Sequence, residues 1–168
     1  MNCLLLGGAS NVGKTTAIYN ITKLLVSKGF KYISDPNNPF DPTKVKDFTC
    51  LFEGQDKKGS SVKIVVNSGT DLISMINNFG QFYEDQNQSS KCDILISSIR
   101  DEGCTSERNN FFSTISINQK DDFILEIPFG KVRKGEKRNR PQAIIWYQKK
   151  MEELIIHILK NSPFDLNL

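Results

Sequence analysis

The chain has 168 residues, of which 38% are hydrophobic and 24% charged, with a net charge of +3. That length predicts one domain over residues 1–168, large enough to bury a full core. Its longest apolar stretches are too short to cross a membrane as a helix, and the charge is too mild to imply nucleic acid by itself.

Asn2 to Leu6 reads as a short buried strand. Met1 runs straight into it with no basic stretch ahead, so no secretory leader is expected. From Thr15 to Lys28, Ala17, Ile18, Ile21, Leu24 and Leu25 recur at helical spacing, and Gly29 fits a C-cap. Phe30 to Ser34 reads as a second strand. Asp35 to Pro39 must then be a loop, since two prolines and two asparagines oppose regular structure. Thr49 to Phe52 and Val62 to Val66 are rich in strand formers, and Asp56-Lys57-Lys58-Gly59 between them is turn chemistry. They read as an antiparallel hairpin, or as an edge strand feeding a central one.

Asn67-Ser68-Gly69 ends the second of these strands. Thr70 then reads as the N-cap of a helix that carries Leu72, Met75, Ile76 and Phe79 inward. A polar loop over 86–91 leads to an apolar strand from Cys92 to Ile99, closed by the turn Arg100-Asp101-Glu102-Gly103. Residues 106–118 fit a helix through Phe111, Phe112 and Ile115, although the alternation to Ile117 also suits a strand. Asp122 to Ile127 reads as a strand. Pro141 suits the start of a final helix burying Ile144, Tyr147, Met151, Leu154, Ile155 and Ile158, with Trp146 also packed. Strands that are continuous apolar runs alternate with helices. This predicts an α/β fold, a three-layer sandwich around a mostly parallel central sheet.

The stretch after the first strand carries the strongest functional signal. Gly8 to Thr15, G-A-S-N-V-G-K-T, satisfies G-x-x-x-x-G-K-[ST]. A triphosphate must exchange water for other donors. Successive backbone amides from Gly8, Ala9, Ser10, Asn11, Val12 and Gly13 can wrap it if the loop turns back on itself, which Gly8 and Gly13 permit. The helix that follows directs its free N-terminal amides and dipole to the same place. Lys14 is then positioned for the β- and γ-oxygens, the Thr15 hydroxyl for Mg²⁺, and Thr16 for the α-phosphate.

On these residues, and on the α/β alternation along nearly the whole chain, the sequence resembles the P-loop NTPase superfamily. The resemblance implies binding of ATP or GTP with Mg²⁺, and hydrolysis or phosphoryl transfer to a small molecule or nucleotide. The implied site is catalytic at Lys14, Arg100 and Asp71. The alternative it leaves open is a nucleotide-dependent switch, whose segments 35–47 and 67–71 are read by a partner protein or nucleic acid.

The superfamily also places an acid at the end of a neighbouring strand to hold the magnesium shell. Here that strand ends in Asn67, whose carbonyl oxygen is one candidate; Asp71 and Asp35 are the nearby acids, each with a bland reading as a helix-start or turn residue. Small GTPases carry D-x-x-G at this place, and counting back from Gly69 finds Val66, so ATP is favoured over GTP. Asn118-Gln119-Lys120-Asp121 spaces its Asn and Asp as a guanine-reading motif does, but with the lysine one place late. Arg100, after a central strand, suits stabilisation of a transferring phosphoryl group; its plain reading is a loop ion pair with Asp101 or Glu102. Arg108 reads as part of a solvated helix face, as does His157.

"KVRKGEKRNR" over residues 131–140 holds six basic residues and one acid, and suits contact with phosphate, an acidic substrate or nucleic acid. Cys3, Cys50, Cys92 and Cys104 show no C-x-x-C spacing and read as the reduced thiols of a cytoplasmic protein.

Overall fold

The structure, a computed structural model, describes residues 1–88, 90–117, 120–132 and 140–168. In chain order the elements are β1 (Asn2–Gly7), α1 (Lys14–Ser27), β2 (Lys31–Ser34), β3 (Thr49–Gln55), β4 (Ser61–Asn67), α2 (Ile73–Asn87), β5 (Ile94–Ile99), α3 (Thr105–Thr114), β6 (Phe123–Pro128) and α4 (Arg140–Leu159). The strands form one six-stranded sheet in the order β2-β3-β4-β5-β1-β6. β4, β5, β1 and β6 run parallel, and β3 is antiparallel to both of its neighbours.

Alternation along each strand sorts the core into two layers. Leu4 and Leu6 of β1, Ile64 and Val66 of β4, and Ile96 of β5 face α1 and α4, where they meet Ile18, Ile21, Leu25, Ile155 and Leu159. Cys3, Leu5, Val65 and Leu95 point the other way, onto Ile76, Phe79, Phe111 and Ile115 from α2, α3 and its C-terminal turn. Phe79 and Phe111 stack with ring centroids 6.0 Å apart, joining the two helices of that layer. The expected α/β class and helix-covered sheet are observed. The sheet is mixed, because the β3–β4 hairpin reverses one strand. Its turn is fixed by Asp56, whose Oδ1 accepts from the Lys58 and Ser60 amides at 2.8 Å each.

Three expectations of local structure are corrected: the Thr70 cap, the inward Leu72, and the burial of Leu154 and Trp146. Thr70 does not cap α2, which begins at Ile73 after an uncapped Leu72. Its buried hydroxyl instead meets Ser98 Oγ at 3.1 Å, so the segment after β4 is tied to the end of β5. Leu72 is accordingly exposed. On α4, Ile155 and Leu159 reach the core, but Leu154 is exposed and Trp146 is 62% exposed. The ambiguous stretch near 106–118 forms the helix α3, and Ile115 is buried just beyond it.

The register brings the carboxyl ends of the parallel strands to one edge. Gly7 stands level with Ile99 of β5 and Pro128 of β6, and Asn67 level with Ser97. Ligands of open α/β sheets bind at such an edge. The neighbour of β1 on this side is β5 rather than β4, so the strand ending in Asn67 lies one place further away.

Candidate functional site

The loop from Gly8 to Gly13 joins β1 to α1 at this edge. Its backbone turns through left-handed angles at Gly8 (φ 140°), Asn11 (φ 62°) and Gly13 (φ 101°). A Cβ at Gly8 would stand 2.8 Å from the Phe129 carbonyl oxygen, so glycine is required there for space as well as for angle. Asparagine tolerates the left-handed region better than other non-glycine residues. Val12 turns its side chain into the core and offers the site only its backbone. The first helical bond of α1 runs from the Ala17 amide to the Gly13 carbonyl at 3.0 Å. The amides of Lys14, Thr15 and Thr16 precede it and have no acceptor within the helix.

A cavity of about 350 Å³ opens over this helix end. Lys14 lines it, only 6% exposed, with Nζ donating to the carbonyls of Gly8 at 2.7 Å and Ala9 at 2.8 Å. Burial lowers the pKa of its ammonium, and Asp71 opposes that shift. The Thr15 hydroxyl donates to Asp47 Oδ1 at 3.0 Å and lies 3.4 Å from the Ser68 carbonyl. Burial raises the Asp47 carboxyl above the ordinary aspartate value; the Thr15 hydrogen bond opposes this and the charge of Asp71 adds to it.

Asp71 and Arg100 are brought together with the loop. Arg100 Nη1 donates to Asp71 Oδ1 at 3.0 Å and to Ser10 Oγ, and Ser10 Oγ donates to Asp71 Oδ2 at 3.3 Å. The partner of Arg100 is therefore Asp71, not Asp101 or Glu102. Arg100 Nη2 also reaches Cys104 Sγ at 3.4 Å. Arg108 is not part of a solvated face: it grips Glu126 with two bonds of 3.0 and 2.8 Å and donates to the Arg100 carbonyl at 2.7 Å.

Asn67 does not line the cavity. Its carbonyl accepts from Thr49 Oγ1 at 3.1 Å, and its amide donates to Gly69 O and Ser97 Oγ at 3.2 Å each. Both ends of the side chain are spent inside the sheet end, where it is 1% exposed. Asp47, which sequence reasoning did not single out, stands against Thr15 instead. Asp35 keeps its turn role, accepting from the Asn37 amide at 2.9 Å away from this cavity. Ser68 and Ser98 also line the space, from the carboxyl ends of β4 and β5 where the sequence pattern places ligands, and Gln148 lines it from α4 with no motif to announce it. Residues 118 and 119 of the guanine-like tetrapeptide, and 133–139 of the basic stretch, lie outside the described residues. His157 is exposed on α4, as expected.

Among the described residues no cluster of three or more His, Cys, Asp or Glu side chains gathers to hold a metal. The oxygen pair Thr15–Asp47 is the arrangement that suits one. Mg²⁺ binds oxygens at about 2.1 Å in an octahedron, which places adjacent ligand oxygens about 3 Å apart. The observed 3.0 Å separation meets that spacing. No helix among the described residues is long and apolar enough to cross a membrane. No protein-family model, no curated protein and no solved structure matches the chain.

Proposed function

We propose that this chain is a P-loop NTPase-like protein. It binds a nucleoside triphosphate with Mg²⁺, ATP in preference to GTP, and hydrolyses it or passes its terminal phosphoryl group to a small-molecule or nucleotide acceptor. The observation that carries the reading is the convergence at the N-terminus of α1: an ammonium, free first-turn amides, and a hydroxyl–carboxylate pair at magnesium spacing.

Each residue has a task in this reading. The amides from Ala9 to Thr16 receive the phosphates. Lys14 exchanges the carbonyls of Gly8 and Ala9 for the β- and γ-oxygens. Thr15 and Asp47 hold the metal, which when bound neutralises charge on those oxygens. Asp47 replaces Asn67 in that role, because it supplies a full negative charge and faces Thr15. Arg100, held at the loop by Asp71 and Ser10 beside the cavity that Asp71 lines, is assigned to meet charge that develops on a transferring phosphoryl group.

Titration calorimetry with ATP, GTP and their magnesium complexes tests the reading. Association of Mg-ATP that weakens in Asp47→Asn supports it. The absence of any heat at millimolar ligand overturns it.

A switch reading is favoured by a separate observation. Asp47 and Asp71, from the two segments 35–47 and 67–71, line one cavity, so occupancy of that cavity would bias both segments at once. A protein or nucleic-acid partner would then read them. Phosphate release faster than about 0.1–1 s⁻¹ without a partner supports the enzyme; turnover that stays slow until a partner is added supports the switch.

A further inference from the structure

The cavity over α1 is unevenly satisfied. On one side Thr15, Asp47, Asp71 and Ser98 spend their polar atoms on one another, on Arg100 or on the Ser68 carbonyl. On the other side Asn11, Thr16 and Gln148 line the same space, and among the described residues their side chains make no hydrogen bond. Gln148, half-buried on α4, lies directly over Gly13, with Nε2 3.1 Å from where a Cβ would stand.

Gln148 and Asn11 also line a second, smaller cavity of about 80 Å³, between α4 and residues 130–132. Its other walls include Val132, Ile144 and Tyr147. The Gly130 amide donates to the Tyr147 hydroxyl at 2.6 Å, which pins this wall to the helix. The two carboxamides therefore stand at a junction. Toward Lys14 the lining is charged and suits phosphate; beyond them it is mixed, with Val132, Ile144 and Tyr147 bringing apolar surface beside Lys131. A nucleotide changes polarity in the same way, from charged phosphates to a neutral sugar and a flat heterocycle. A carboxamide offers one donor group and one acceptor without charge, which suits ribose hydroxyls or a base edge and adds little to phosphate binding.

Resting on the triphosphate reading above, we propose that Gln148, with Asn11 beside it, is the contact for the nucleoside half of the ligand. Its amide bonds the ribose or the near edge of the base, and the base lies across the mouth of the cleft against Ile144 and Tyr147. This makes α4 the specificity element of the site.

The test compares Mg-ATP with magnesium tripolyphosphate, which has the phosphates and no nucleoside, as ligands of the wild type, Gln148→Ala and Asn11→Ala. Gln148→Ala is expected to weaken ATP about three- to tenfold, the loss of one neutral hydrogen bond, and to leave tripolyphosphate unchanged. Gln148→Asn, which keeps the amide but withdraws it, is expected to show the same selective loss. Equal weakening of both ligands, or no change in ATP affinity, overturns the nucleoside contact while leaving the phosphate site standing. A wild-type chain that binds neither ligand overturns the phosphate site and this assignment together. Unchanged circular dichroism and thermal midpoint in each variant show that the fold is retained.

Discussion

Thr15 and Asp47, thirty-two positions apart, meet through a 3.0 Å hydrogen bond at the first turn of α1. The contact joins the helix that opens after the glycine loop to the segment that leads into β3. A carboxylate is thereby placed beside the free amides of the helix, where negative charge is favoured.

Replacing Asp47 by Asn keeps the shape of that contact and removes its charge. Nucleotide affinity measured with magnesium is expected to fall at least about tenfold, with much less change in excess chelator. Stability should respond in the opposite sense. The Asp47 carboxyl is raised chiefly by burial, so the folded state holds its proton more tightly than the unfolded chain does. Its ionisation therefore costs stability as pH rises through and above the ordinary aspartate range. Without metal, Asp47→Asn should unfold at higher denaturant than wild type at neutral pH. The difference should close as pH falls below that range. Denaturant melts at three pH values check the sign.

Lys14→Ala should cost most of the nucleotide affinity with the fold retained. Its ammonium bonds only carbonyls of its own loop, so its removal leaves the sheet and both core layers untouched. A loss of about a hundredfold in affinity is expected for charge-assisted contacts to phosphate. Calorimetry and far-UV circular dichroism on the same sample separate lost binding from lost fold.

Gly8→Ala should destabilise the protein by about 1–3 kcal/mol, through an unfavourable φ and the collision with the Phe129 carbonyl. Gly59→Ala provides the comparison, because its φ is also positive at 81° and nothing lies within 4 Å of a Cβ there. The excess cost at Gly8, read from urea unfolding midpoints, reports the close approach together with its less accessible φ.

The thiols should divide sharply. Burial pushes Cys3 up to about 12 and Cys92 to about 11, and raises Cys50 well above its usual value. Cys104 is half-buried, with its sulfur beside Arg100. Alkylation at pH 8, mapped by mass spectrometry, should label Cys104 in the native protein and reach the other three only on unfolding.

What the sequence made legible was local. β1 and α1 fall within a residue of the boundaries read from apolar spacing, and the β3–β4 hairpin follows from its strand formers and Asp56 turn. The glycine–lysine loop was readable because its residue types answer to backbone angles. Asp47 was not, because its place depends on how the segment before β3 folds across the sheet end, and periodicity carries no information on that. Asn67 was expected at the cavity from its position at a strand end; the insertion of β5 between β4 and β1 gave its side chain other partners. Thr70 looked like a cap because its residue type suits one, but a buried hydroxyl on β5 offered it a different bond. Arg108 looked solvated until β6 supplied Glu126.

The place of β1 between β5 and β6 has a consequence for how the molecule comes into being. β1 pairs only with residues 94–99 and 123–128, so both of its lateral partners lie far along the sequence from it. High contact order of this kind slows folding. The glycine loop hangs from the end of that strand, and its anchor at Phe129 lies further along still, through the bond from the Phe129 amide to the Gly7 carbonyl at 2.7 Å. The ordering of the glycine loop is thus tied to the pairing of β1 with β5 and β6. Pulse-labelled hydrogen exchange should find the amides of β1 and β5 gaining protection in the same kinetic phase.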